Sequence, residues 1–153
     1  MLNSCRKSGL TLLTLAGLVT QSQAQLGWTL NQCQQHYGNP VSAPVKNIDP
    51  GVTQYHFKSG KLELCVRISA ETQAVTAMYY SKLDRGPFSN VEIMQLLREN
   101  GKNVSWVPIG REQPPSQDQK NWMGTRDGKT VMSASYQLME EGEGYVVNVR
   151  IGS

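Results

Sequence analysis

The chain reads as an α+β protein made of two helix-plus-antiparallel-meander units, and three observations lead there. Two helix starts share one capping pattern at Thr29 and Ser89, 60 residues apart. Each is followed by runs in which apolar and polar residues alternate. Tight-turn pairs, Ser59-Gly60 and Asp127-Gly128, separate those runs. The equal spacing makes the units, about residues 25–82 and 83–153 of a single compact domain 25–153, candidates for a diverged duplication, although identity between them is weak.

Residues 1–24 are expected to be an export signal rather than part of the fold. Arg6 and Lys7 give a basic start, Leu10 to Val19 form a ten-residue apolar run, and Ser22-Gln23-Ala24 supplies the small residues of a cleavage site before Gln25. A bilayer-spanning helix needs about 20 apolar residues, so an uncleaved anchor is the lesser reading. Cys5 precedes the apolar run rather than following it, a poor place for lipid attachment after cleavage. The full chain has 15 basic and 12 acidic residues; the leader holds two of the basic ones, leaving a mature net charge of +1. No Lys/Arg cluster remains to neutralise a run of phosphates, which excludes nucleic acid as an expected partner.

In the first helix Thr29 caps and Gln32 completes a capping box, with Trp28 and Cys33 placed as the apolar staple. Leu30, Cys33 and Tyr37 share a face, and Gly38-Asn39-Pro40 stops the helix. Strands are expected over 52–58, 61–69 and 74–82, the second with Leu62, Leu64, Val66 and Ile68 on one face. The second helix repeats the pattern with Ser89, Glu92, Phe88 and Ile93, buries Ile93, Met94, Leu96 and Leu97, and ends at Asn100-Gly101. Strands at 103–107, 121–126, 130–139 and 144–151 complete the second unit.

Once the leader is gone, Cys33 and Cys65 form an even pair in an oxidising compartment, and a disulfide between them is expected. Closing the intervening loop would stabilise the fold by roughly 3–4 kcal/mol on a chain-entropy basis. A reactive or metal-binding pair would call for CxxC spacing or clustered His and Cys, which the sequence lacks. Cys65 shares strand parity with Glu63 and Arg67, so this link would lay the first helix over the charged face. The apolar face would then need the C-terminal half, or a second copy of the chain, to cover it.

The segment Gly27-Trp28-Thr29-Leu30-Asn31-Gln32-Cys33 through Tyr37-Gly38-Asn39-Pro40 resembles the opening of small periplasmic helix-plus-meander proteins. These are the outer-membrane assembly lipoproteins of the SmpA/OmlA type and the related β-lactamase-inhibitor-protein-like fold. The resemblance covers residues 27–81, with Gln54-Tyr55-His56-Phe57 and residues 62–68 as the first two strands. It implies an architecture and a tendency toward protein–protein contact, not a reaction. No lipidation cysteine stands at the mature start, so a role in outer-membrane assembly is not carried over.

Catalytic chemistry is sparse. His36 and His56 are the only histidines, and no spacing nominates a third ligand for a metal. Neither Gly-x-Ser-x-Gly nor a Cys/His signature occurs. Glu140, Glu141 and Glu143 crowd a turn, where carboxylates stay solvated, and Gly142-Glu143-Gly144 lacks the helix a phosphate loop requires. Trp106 and Trp122, near Arg111 and Arg126, are expected as core beneath the second helix or, alternatively, as a binding face. The polar 108–120 loop, with Pro114-Pro115, would border that face. The chain is therefore expected to be a secreted or periplasmic, non-enzymatic module that binds another protein, with no cofactor or metal. The alternative is a carbohydrate- or wall-polymer-binding module using Trp106 and Trp122, and the least favoured reading is a small hydrolase.

Overall fold

The computed structural model describes residues 25–110, 119–139 and 143–152. The expected leader, Arg111, and the turn residues Glu140, Glu141 and Gly142 lie outside them. In chain order the elements are α1 (Leu30–Tyr37), β1 (Val45–Lys46), β2 (Val52–Ser59), β3 (Leu62–Ser69), β4 (Val75–Lys82) and α2 (Asn90–Asn100). The series continues with β5 (Ser105–Ile109), β6 (Gln119–Arg126), β7 (Lys129–Leu138) and β8 (Tyr145–Ile151).

Both capping boxes form. Thr29 Oγ1 accepts from Gln32 N–H at 3.4 Å while Gln32 Oε1 accepts from Thr29 N–H at 2.8 Å. Ser89 Oγ accepts from Glu92 N–H at 3.2 Å, and Glu92 Oε2 accepts from Ser89 N–H at 2.7 Å. The expected 127–128 hairpin turn also stands: Asp127 and Gly128 have φ of 51° and 73°, the left-handed pair a two-residue turn between twisted strands requires.

The expectation of two helix-plus-meander units does not hold. The eight strands named above form one antiparallel sheet in the order β1-β2-β3-β4-β8-β7-β6-β5, and the described residues are mainly β with two short helices. The join is β8, which pairs with β4 on one side and β7 on the other. Two separate meanders would each leave an inner strand edge with unpaired N–H and C=O groups; inserting β8 beside β4 removes both edges at once. The core is correspondingly shared. Phe57, Leu64, Val66, Met78 and Tyr80 of the first half are buried in one cluster with Tyr136, Val147 and Val149 of the second.

The register fixes which residues share a side. Phe57, Leu64, Tyr80, Val147 and Tyr136 are successive cross-strand partners and point to one face. Both helices lie on that face. From α1, Tyr37 packs on Phe57 with ring centroids 5.8 Å apart, and Cys33 is fully buried in the core. From α2, Ile93, Leu96 and Leu97 are buried, and Asn100 Nδ2 donates to Tyr80 Oη at 2.8 Å.

The expected disulfide falls with this arrangement. Both cysteines are free thiols. Cys33, a residue of α1, is buried in the core on the helix-covered side, whereas Cys65 alternates with Leu64 and Val66 and so points to the other side. A disulfide needs Cα atoms within about 7 Å and Cβ atoms facing one another, and here the sheet stands between them. The first helix covers the apolar side, not the charged one, and no second copy of the chain is needed to bury that side.

An ion pair joins the end of β4 to the start of α2: Lys82 Nζ lies 2.8 Å from Glu92 Oε1 and also donates to Pro87 O at 2.9 Å. The hydrogen bond from Lys82, helped by the Ser89 cap, pulls the Glu92 carboxyl from 4.5 down to about 2. Because the folded value lies below the unfolded one, this contribution is present above pH 4.5 and fades as the pH falls toward 2. A Glu92→Gln variant is expected to show a shallower decline of melting temperature across that window. An unchanged slope would show that the pairing adds nothing.

Candidate functional site

Among the described residues no helix covers the second side of the sheet, and its side chains follow from strand alternation. One row across it is His56, Cys65, Tyr79, Asn148, Ser135, Asn121 and Ile109, each the cross-strand partner of the next. A parallel row runs Val45, Gln54, Arg67, Ala77, Arg150, Ser133, Met123 and Val107. Nearly all are half-buried or exposed, Ala77 excepted. At strand spacings of about 4.8 Å the face is about 34 Å wide, and six residues of strand make it about 20 Å tall. Its projected area, on the order of 700 Å², is near the ~800 Å² that one partner contributes to a standard interface.

Polar side chains on its β2–β3–β4 part are held in place by one another. Arg67 donates through Nε to Gln54 Oε1 at 3.2 Å and through Nη1 to Asp49 Oδ2 at 3.1 Å. Its guanidinium carbon lies 4.8 Å from the centre of the Tyr79 ring, a cation–π distance. Gln54 Nε2 in turn stands 3.0 Å from His56 Nε2, so that ring nitrogen is the acceptor. Gln54 thereby fixes both neighbours. At the opposite edge the surface turns apolar: Val107 and Ile109 are 48% and 52% exposed, beside half-buried Met123.

His56 stands directly across from Cys65, a pairing the sequence did not disclose. Burial pushes the Cys65 thiol up to about 11, with Arg67 as a smaller opposing influence. A nucleophilic cysteine is shifted the other way. Burial raises Cys33 to about 11 as well. His36 is exposed and packs edge-on against Trp28 and Tyr37, at 5.2 Å and 4.7 Å. Glu143 is exposed. Among the described residues no cluster of His, Cys, Asp and Glu is arranged to hold a metal ion.

The tryptophans named from sequence lie together on the helix-covered side. Trp106 faces Gly124 across the β5–β6 pair, and its Nε1 donates to Leu97 O of α2 at 2.9 Å. Trp122 is 8% exposed within the core cluster. Arg126 Nη2 donates to Lys102 O at 2.9 Å, bracing the loop that enters β5. Neither indole is presented as a stacking platform for a sugar ring. The residues that sequence reading missed are those on the uncovered side, whose signal is the polar parity of β2, β3 and β4.

No family model matches the chain, and no curated protein matches it. Among solved structures, a cysteine-rich secretory protein from Staphylococcus aureus is similar at 9% identity and a TM-score of 0.39, over 82% of this chain and 44% of that one. The chain thus spans less than half of that protein's length, and a likeness of this degree carries no argument about fold or function. Among the described residues no helix is long and apolar enough to cross a membrane.

Proposed function

We propose that this is an exported, non-enzymatic binding module whose uncovered sheet face docks a protein partner. The observation that carries the reading is the combination on one face of exposed apolar side chains at β5 with Arg67 and Arg150 flanking Ala77. Sheets of this kind often leave one face to water; on this one Val107 and Ile109 stand at about half exposure beside Met123. Fully desolvated aromatic and arginine contacts carry most of the binding energy in protein interfaces. The partner that fits is a protein with an apolar ridge to lie on Val107, Ile109 and Met123 and a carboxylate to meet Arg150, Arg67 being already held by Asp49. The resemblance of residues 27–81 to contact-making folds supports binding over catalysis, and the leader pattern at residues 1–24 supports an exported compartment.

The test is site-specific photo-crosslinking in the exported fraction, with the probe at Ser135 on the face or at exposed Gln95 on α2. A discrete protein adduct from Ser135 alone, lost on Arg150→Glu, is the expected result. Identical adducts from both sites, or adducts indifferent to Arg150→Glu, would overturn the reading.

A further inference from the structure

Among the described residues Gln25 and Asn100 are the buried polar ones, Gln25 at 6% exposure. Its main-chain N–H donates to Glu99 O at 3.4 Å, its carbonyl accepts from Trp28 N–H at 3.2 Å, and its Oε1 accepts from Tyr80 Oη at 2.6 Å. Tyr80 is itself aligned by Asn100, whose Nδ2 donates to its oxygen at 2.8 Å and to Leu96 O at 2.8 Å. A donor chain, Asn100 to Tyr80 to Gln25, therefore ends on the side-chain carbonyl of the residue that the leader pattern places at the new N-terminus. The next residues are anchored too: Gly27 N–H donates to Val75 O at 2.9 Å, and Val75 N–H donates to Trp28 O at 2.7 Å.

Cleavage before Gln25 would leave an α-ammonium 3.4 Å from Glu99 O, on a residue whose side chain reaches the core. A buried cation is costly unless it is paired, and the atom facing this nitrogen is a peptide oxygen of α2. The Glu99 carboxylate, the nearby acid of that helix turn, accepts from Gln95 Nε2 at 3.0 Å. Glutamine has an internal way out. The neutral α-nitrogen attacks its own Cδ, a Cδ–N bond forms, the Cδ–Nε2 bond breaks, and ammonia leaves with the proton the α-nitrogen sheds. No oxidant or other reactant is consumed. The five-membered lactam keeps one N–H and the Cδ=O, the donor and acceptor types that Glu99 O and Tyr80 engage, and gives up Nε2. It is neutral, so no charge has to be held beside the core.

We infer that Gln25 is a modification site: the mature chain begins with pyroglutamate, docked under Tyr80 between α2 and the start of β4. The inference rests on the exported reading, and its test separates the two. The protein is expressed with its leader, recovered from the exported fraction and weighed intact. The expected mass is that of Gln25–Ser153 less one ammonia, with an N-terminus that does not react with amine reagents, while Gln25→Ala yields a reactive amine. A chain beginning at Gln25 with its amine intact overturns this inference alone. A chain beginning elsewhere overturns the leader reading as well. Docking is read separately: Tyr80→Phe should lower the melting temperature in the Gln25 protein and by clearly less in Gln25→Ala, since contacting residues are not additive. Equal shifts in both backgrounds would overturn the docking.

Discussion

Replacing Gly144 by alanine is expected to destabilise the protein by about 2–4 kcal/mol, combining left-handed strain with backbone overlap. Gly144 has φ +84°, and a Cβ there would sit 2.7 Å from Arg85 O and 2.9 Å from Arg85 Cα. Those are main-chain atoms, so no side-chain rotation relieves the contact. Gly144 O also accepts from Met139 N–H at 2.9 Å, which holds the entry to β8 against the end of β7. Because β8 joins the two halves of the sheet, the loss should appear in a single cooperative transition. The urea midpoint should fall with an unchanged slope. A midpoint within experimental error of the parent would mean that the β7–β8 turn does not approach Arg85.

Phe57→Ala is expected to cost about 3–5 kcal/mol, the range for emptying a buried aromatic site. Phe57 is fully buried between Leu64 and the Tyr37 ring. Its chain neighbour His56 points to the uncovered side, and His56→Ala should cost under about 1 kcal/mol, as for surface substitutions. The contrast between adjacent residues reads the face assignment directly. Comparable losses at both positions would show that both sides of β2 are covered.

Local features of the fold were legible in the sequence. The capping boxes at Thr29 and Ser89, the Asp127-Gly128 turn and the alternation of Leu62, Leu64, Val66 and Ile68 are each written within a few residues, and each stands in the structure. What was not legible is long-range. Nothing near Tyr145–Ile151 marks it as the partner of β4, more than sixty residues earlier, since strand pairing across such a separation leaves no local pattern. β1, only two residues long, is likewise set by its neighbour β2.

The cysteine expectation failed for a related reason. Compartment and even count argue that a pair exists, but which face each sulfur points to is a matter of strand parity. The parity of Cys65 with Glu63 and Arg67 was visible, and taken alone it places Cys65 away from the apolar side. Trp106 and Trp122 were legible as a neighbouring pair, and their parity with Gly124 and Ala134 puts them in the core. The uncovered face was legible only as polar residues within individual strands. It becomes a surface once eight strands are set in register.

The central claim is that both helices cover one side of a single sheet, with Cys33 on the buried face of α1 and Cys65 on the opposite side of the sheet. With both thiols held near 11, roughly one in a thousand is thiolate at pH 8, so alkylation of the native protein should be slow. The direct measurement is alkylation of the mature protein in denaturant without reductant, read by intact mass. Two adducts per chain are the expected result, one at Cys33 and one at Cys65. A mass with no adduct, gaining two only after reduction, would mean that the sulfurs are bonded to each other and that the arrangement of helices on the sheet is wrong.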